Sequence, residues 1–470
     1  MGVLFRKAFN LPIGLILILL ALFFTLYIAL ENNEDNFLAL LPAAFAFVSI
    51  LFFKVYSRIN SSVLYLFYIF TAFIRFNVVP FIMVAADYQT DYAVKSEIYQ
   101  NLDGAIFLMI YELIIVFALL YFFADKNKNI TSMNLQPEYP FHATNVMMLT
   151  LCGMFVLFLA LQPGLAIMLH SDSSELETQW KIIEIINNLH TSMSPVIFWG
   201  FKLALGILQI ILPIYIYNWA YLKLSGRKSA FVGMLMVLMS LAIMTDARAI
   251  SVFVATCLIL VLAKNQGKYM QKILPFLGLV IFAVICAALL KDQGFTGSQI
   301  AHISTALQGY FGSPIFTAGV FVLTDEISFQ EIIKDILTPV PLLGMFVVDF
   351  DSTNQLVNNA MFGSTIYGSI FPMIGEGARF FTCALAPILS ALTIYLGAWL
   401  EIRFQKHLSQ SGKLNLLTVY FIYFVLMIIG ISPNMYDFSI LIGYFANFAI
   451  IYVIFYAPFL RHFSISKKTH

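Results

Sequence analysis

Asp246 and Arg248 stand two apart in MTDARAIS (244–251), between the apolar runs FVGMLMVLMSLAI and VFVATCLILVLA. Only 11% of the chain is charged, so a carboxylate and a guanidinium in a tight apolar turn need a reason. A charge near mid-membrane costs about 2.5–3.5 kcal/mol, and less towards the interface. Two chemistries fit the pair. Either Asp246 and Arg248 neutralise each other among headgroups, or Arg248 binds an anion where the next helix starts and its free N–H groups also attract negative charge. Four more cations lie near the same surface or just inside it: Lys202, Lys291, Arg379 after GEG, and the deeper Arg75 in YIFTAFIRFNVVPF. Singly, each reads as a snorkelling or salt-bridged residue. Together they outline a polar cavity opening outward, because charges facing lipid gain nothing. Such a cavity fits a phosphate, since arginine grips two oxygens at once and a charge-assisted hydrogen bond contributes about 1.5–3 kcal/mol.

Other candidates have plainer alternatives. Glu112, in LMIYELIIVF, is expected to pair with a buried cation, with Arg75 a candidate. Asp349 and Asp351 have the spacing of metal-dependent sugar transferases but read as loop residues. His302 lies on a polar helical stripe and is either solvated or a proton-transfer group. Tyr310 and Tyr367 are of a type that stacks on sugars, although nothing else singles them out. Cys152, Cys257, Cys286 and Cys383 sit singly in apolar runs and read as packing residues. There is no P-loop, dinucleotide glycine pattern, HExxH or CxxC. Cytoplasmic energy use is therefore not visible, and no residue is assigned to a metal or cofactor.

These residues must be carried by a membrane scaffold. The chain is 61% hydrophobic with a mean hydropathy of +0.88, whereas soluble domains carry about 25% charged residues. Its net charge of +1 implies no nucleic-acid partner. Apolar runs predict an all-α polytopic membrane protein of about twelve helices, near 11–30, 37–53, 62–85, 104–123, 144–161, 196–220, 230–245, 248–263, 273–290, 373–402, 414–431 and 437–458. With a cytoplasmic N-terminus, 18 of the 26 Lys and Arg fall on the inside and acidic residues crowd the outer loops, which orients both termini inward.

Residues 1–470 then form a single transmembrane domain with two large extracytoplasmic loops, 162–195 and 291–372. The first predicts an interfacial helix in SELETQWKIIEIINNL, with Ser174 and Glu177 as a capping box. The main loop, between spans nine and ten, predicts short amphipathic helices. One lies in SQIAHISTALQGY, broken by Gly312 and Pro314. Another starts at the Ser328–Glu331 capping box and stops before Pro339. The apolar IFTAGVFVL between them is too short to cross and must dip in or pack on the bundle.

The layout resembles the bacterial O-antigen and capsular repeat-unit polymerases of the Wzy type. Besides the span number and the dominant outer loop, three stretches carry the resemblance: TDARAI (245–250), QGYFGSPIFTAGVF (308–321) and NNAMFGSTIYGSIFPMIGEGARFF (358–381). The resemblance implies a glycosyltransferase of the bacterial cytoplasmic (inner) membrane. Such an enzyme joins undecaprenyl-diphosphate-linked oligosaccharide repeats at the outer face, with the lipid diphosphate as leaving group and without metal. Its partners would be polyprenyl-diphosphate-linked donor and acceptor, membrane lipid and, optionally, a chain-length regulator protein. Arg248 would hold the diphosphate, with Lys291 and Arg379 adding positive charge. Asp246, Glu376 or His302 would take the acceptor's proton. The 162–195 loop carries Lys181 as its only Lys or Arg, unlike family members with arginines in both large loops. Two alternatives stay open: a surface-polysaccharide ligase of related layout, which relies on a large-loop histidine and so keeps His302 in view, and a lipid-linked oligosaccharide flippase or other transporter. A carrier would place its charges near the bilayer midplane and keep its outer loops short, which favours the enzyme.

Overall fold

A computed structural model describes residues 2–32, 37–59, 61–89, 94–125, 135–136, 142–161, 299–323, 327–340, 343–347, 350–363, 371–411 and 414–453, with helical pieces between 197 and 216. The 162–195 loop, the TDAR turn and the spans expected at 230–245, 248–263 and 273–290 lie outside the described residues.

The described chain is helical apart from a two-residue parallel pairing of Leu135–Gln136 with Leu414–Asn415. Its first part comprises α1 (Gly2–Glu31), α2 (Leu40–Leu51), α3 (Val63–Phe73), α4 (Val79–Ala85), α5 (Ser96–Gln100), α6 (Leu102–Ala124) and α7 (His142–Leu161). The main loop supplies α8 (Gln299–Tyr310), α9 (Pro314–Ala318), α10 (Phe329–Leu337) and α11 (Thr353–Phe362). The chain continues through α12 (Met373–Phe380), α13 (Ile388–Ser411), α14 (Leu416–Met435) and α15 (Phe438–Ile451).

Among the described residues, Ile13–Glu31, Val63–Ala85 and Leu102–Ala124 are long and apolar enough to cross a membrane, and shorter apolar helices accompany them. The chain is thus a helical membrane protein. The sidedness of its helices agrees. α1 turns Leu19, Phe23, Leu26 and Leu30 outward and Ile18, Ala21 and Ile28 inward. An outward leucine stripe is free of penalty against acyl chains, which are as apolar as leucine itself. α8 buries Ser304, Thr305 and Gln308 while exposing Ile300 and Tyr310, the arrangement expected where the outside is lipid and polar groups turn to the bundle.

Two departures from the expected spans bear on function. The 62–85 run is interrupted by a π-helical turn, Ile74–Val78, just before Pro80. Proline removes one backbone donor and crowds the preceding turn, and the wider π turn accommodates it. The expected 373–402 span is two helices. α12 stops at Phe380, residues 381–387 make turns, and α13 starts after Pro387. Proline disfavours helical geometry at the residue before it, so a break there is physically natural.

The main-loop helices pack on the bundle. Pro314 to Ala318 of α9 are all buried, and α9 lies against α6, as its short apolar length requires. α10 begins with the expected capping box: Ser328 N donates to Glu331 Oε2 at 2.7 Å and Glu331 N to Ser328 Oγ at 3.3 Å. It ends at Leu337, before Pro339, and packs on α15. α11 opens with a second box, made by Ser352 and Gln355.

Candidate functional site

Two groups of buried charge stand out. The first centres on Arg75, which the π turn directs into the bundle with no exposed surface. Its Nη1 donates to Glu112 Oε2 at 2.8 Å and to the Pro433 carbonyl at 2.9 Å, with Asn434 Oδ1 at 3.5 Å. Its Nε donates to the Gly312 carbonyl at 3.0 Å. Glu112 in turn accepts from Ser390 Oγ, and Asn434 Nδ2 donates to Thr71 Oγ1 at 3.0 Å. The pairing of Glu112 with Arg75 expected from sequence is present, and it binds α6 to the π turn, to α13 and to the end of α14. Gly312 joins the main loop to this hub. Its φ of +50° suits glycine, and a Cβ there would lie 2.7 Å from Pro372 Cβ.

The second group surrounds a cavity of about 290 Å³ under the main-loop helices. α10 contributes Asp335, the start of α11 Thr353 and Asn354, α12 Glu376, and the start of α15 Asp437 and Ser439. The carboxylates do local work as well. Asp437 Oδ1 caps α15 by accepting from Ile440 N at 2.6 Å. Glu376 spends both oxygens on the same turn, accepting from Phe438 N, from Ser439 N at 3.2 Å and from Ser439 Oγ. Asp335 Oδ2 accepts from Thr353 N at 3.1 Å, tying α10 to α11.

Thr353 is 3% exposed, and its Oγ1 has no hydrogen-bond partner of ordinary geometry. It lies close enough to Asp335 to draw that carboxyl down, as Arg379 does from α12, but burial is the larger effect and pushes Asp335 above the usual carboxylate range. Among the described residues no Lys, Arg or His lines the cavity. It is therefore a concave surface rich in hydrogen-bond acceptors, suited to a ligand that brings donors and no negative charge.

Of the residues singled out in the sequence, Glu376 lines this cavity, Arg379 acts on it from the same helix, and Arg75 is enclosed in the hub. Tyr310 ends α8 with its side chain exposed. Asp246, Arg248, Lys202, Lys291, Tyr367 and Asp349, as well as the side chain of His302, lie outside the described residues. Asp335, Thr353 and Asp437 were not singled out from sequence. The available signals were weak: an acid directly before the apolar FSILIGYF, and a polar cluster after Asp351.

Comparison with known proteins finds no matching family model, no matching curated protein and no matching solved structure.

Proposed function

We propose that this protein is a polysaccharide repeat-unit polymerase of the bacterial cytoplasmic membrane, acting at the outer face on undecaprenyl-diphosphate-linked oligosaccharides. The observation that carries the proposal is the acceptor-rich cavity, built where an apolar helix begins and roofed by helices of the dominant loop. Two of the stretches that carry the family resemblance run beside it: 308–321 ends on Phe321, which packs with α12, and 358–381 contributes Phe371 and Glu376.

In this reading an acceptor-sugar hydroxyl gives up its proton and its oxygen bonds to the donor's anomeric carbon. The bond from that carbon to the diphosphate oxygen breaks, and the lipid diphosphate leaves with the electron pair. Arg248, helped by Lys291 and Arg379, stabilises that leaving charge. Asp246 and His302 stay candidates for the proton, whereas Glu376, with both oxygens held by α15, is suited to positioning.

Arg248→Ala tests the reading. The variant is expected to insert at the parental level but to leave single repeats unpolymerised, a loss of at least about 100-fold, in line with removing one group that stabilises developing charge. Polymer of normal length from Arg248→Ala would remove this arginine from the mechanism. The same assay separates the ligase alternative, which predicts transfer to an acceptor bearing no polyprenyl diphosphate.

A further inference from the structure

We propose that the cavity between α10, α11, α12 and α15 is a subsite for one neutral or amino-bearing sugar ring, held through its hydroxyl donors. Its assignment to the acceptor side of glycosyl transfer rests on the polymerase reading, while the sugar chemistry rests on the cavity alone.

The groups facing the space decide the ligand class. Asp335, Glu376 and Asp437 are each at most 5% exposed, and among the described residues no cation lines the space with them. A phosphate or a uronate would meet three carboxylates there, while Arg379 acts on Asp335 from beside the space and not from its lining. Conversely, the hydroxyl of Thr353 lacks a partner of ordinary geometry among the described residues. Buried polar atoms left this way cost stability unless something else satisfies them. Asn354 and Gln355 add side-chain amides and Phe371 an apolar wall, the mixture that suits a ring with polar edges and a less polar face. A cavity of about 290 Å³ is at the lower limit of small-molecule sites, which fits one ring and not a chain of them. A metal is the competing occupant of any acidic space. Among the described residues, however, no three His, Cys, Asp or Glu are grouped to hold one.

The test uses the full-length protein in nanodiscs and saturation-transfer NMR. The probes are glucose, galactose, N-acetylglucosamine, galactosamine, glucuronate, inorganic pyrophosphate and calcium chloride, the last followed as competition. At least one neutral or amino sugar is expected to show saturable binding, with none for glucuronate or pyrophosphate. Thr353→Val keeps the backbone N–H that Asp335 accepts and removes only the hydroxyl, which makes no hydrogen bond of ordinary geometry although it draws Asp335 down, so it is expected to fold and to weaken the sugar about five- to tenfold, the loss of one hydrogen bond. Asp335→Asn keeps an acceptor for Thr353 N and is expected to weaken binding by a further step. Absence of saturable sugar binding, equal binding in both variants, or calcium or pyrophosphate binding that the two variants abolish would each overturn the subsite. Sugar binding that Thr353→Val weakens while polymer length stays parental would overturn the acceptor assignment and leave the subsite standing. Failure of the Arg248→Ala test alone would remove the polymerase reading without touching the cavity.

Discussion

The Arg75 hub and the acidic cavity both bury charge, yet they spend it differently. In the hub, Arg75 and Glu112 face each other at 2.8 Å, and the backbone carbonyls of Gly312 and Pro433 take further donors. In the cavity, three carboxylates gather with no cation among the described lining residues, and a buried hydroxyl is left over. Opposite charges turned on each other hold helices together, whereas like charges turned on a hollow impose a cost that a ligand can relieve. The contrast assigns the hub to architecture and the cavity to recognition.

The largest expected effect lies in the hub. Arg75→Met leaves Glu112 as an uncompensated buried charge, which costs about 3–5 kcal/mol, and the variant is expected to lose most of its monodisperse material in detergent gel filtration. Adding Glu112→Leu removes the orphaned charge and should restore part of the yield, because a buried pair replaced by apolar side chains is often close to neutral. If Arg75→Met instead accumulates like the parent and loses only polymerisation, then Arg75 serves substrate and the contrast between the two regions fails.

A smaller effect is expected where the regions meet. α12 brings Glu376 to the cavity, α13 brings Ser390 to Glu112, and the turns at 381–387 join them. At the joint, a Cβ on Gly377 would lie 2.2 Å from the Ala386 carbonyl oxygen. Gly377→Ala is therefore expected to cost about 1–3 kcal/mol, as overpacking does, lowering the melting temperature and weakening sugar retention together. Parental stability in this variant would mean that the joint yields and that the two regions are not mechanically coupled.

Legibility in the sequence followed the range of the interactions. The Ser328–Glu331 capping box involves groups three residues apart, so a local pattern located the start of α10. The Arg75–Glu112 pair was legible because two charges in apolar spans have few other partners. The cavity was not, since Asp335, Thr353, Glu376 and Asp437 come from four separated elements that only tertiary packing assembles. Asp437 and Glu376 also double as caps for α15, and a cap reads the same in sequence whether or not it faces a hollow. The break after Phe380 was hidden by the continuous hydropathy of FFTCALAPIL, although Pro387 within it marks the place.

The smallest expected effect has the opposite sign and separates recognition from architecture most finely. Burial pushes the Asp335 carboxyl upward, against the opposing pull of Thr353 and Arg379, with the carboxylates of Glu376 and Asp437 lining the same space. The folded protein therefore holds this proton more tightly than the unfolded chain does, where the carboxyl sits near its ordinary value of about 3.9. Stability from this group is fully present below the unfolded value and is lost as pH rises through the raised folded value. Asparagine has no charge to bury and can still accept from Thr353 N. Asp335→Asn is thus expected to melt slightly above the parent at neutral pH, with the difference vanishing on acidification, while its sugar binding falls. A variant less stable than the parent at neutral pH would show that Arg379 and the backbone already compensate the carboxylate. The cavity would then be a second hub, held by its charges and not waiting for a ligand.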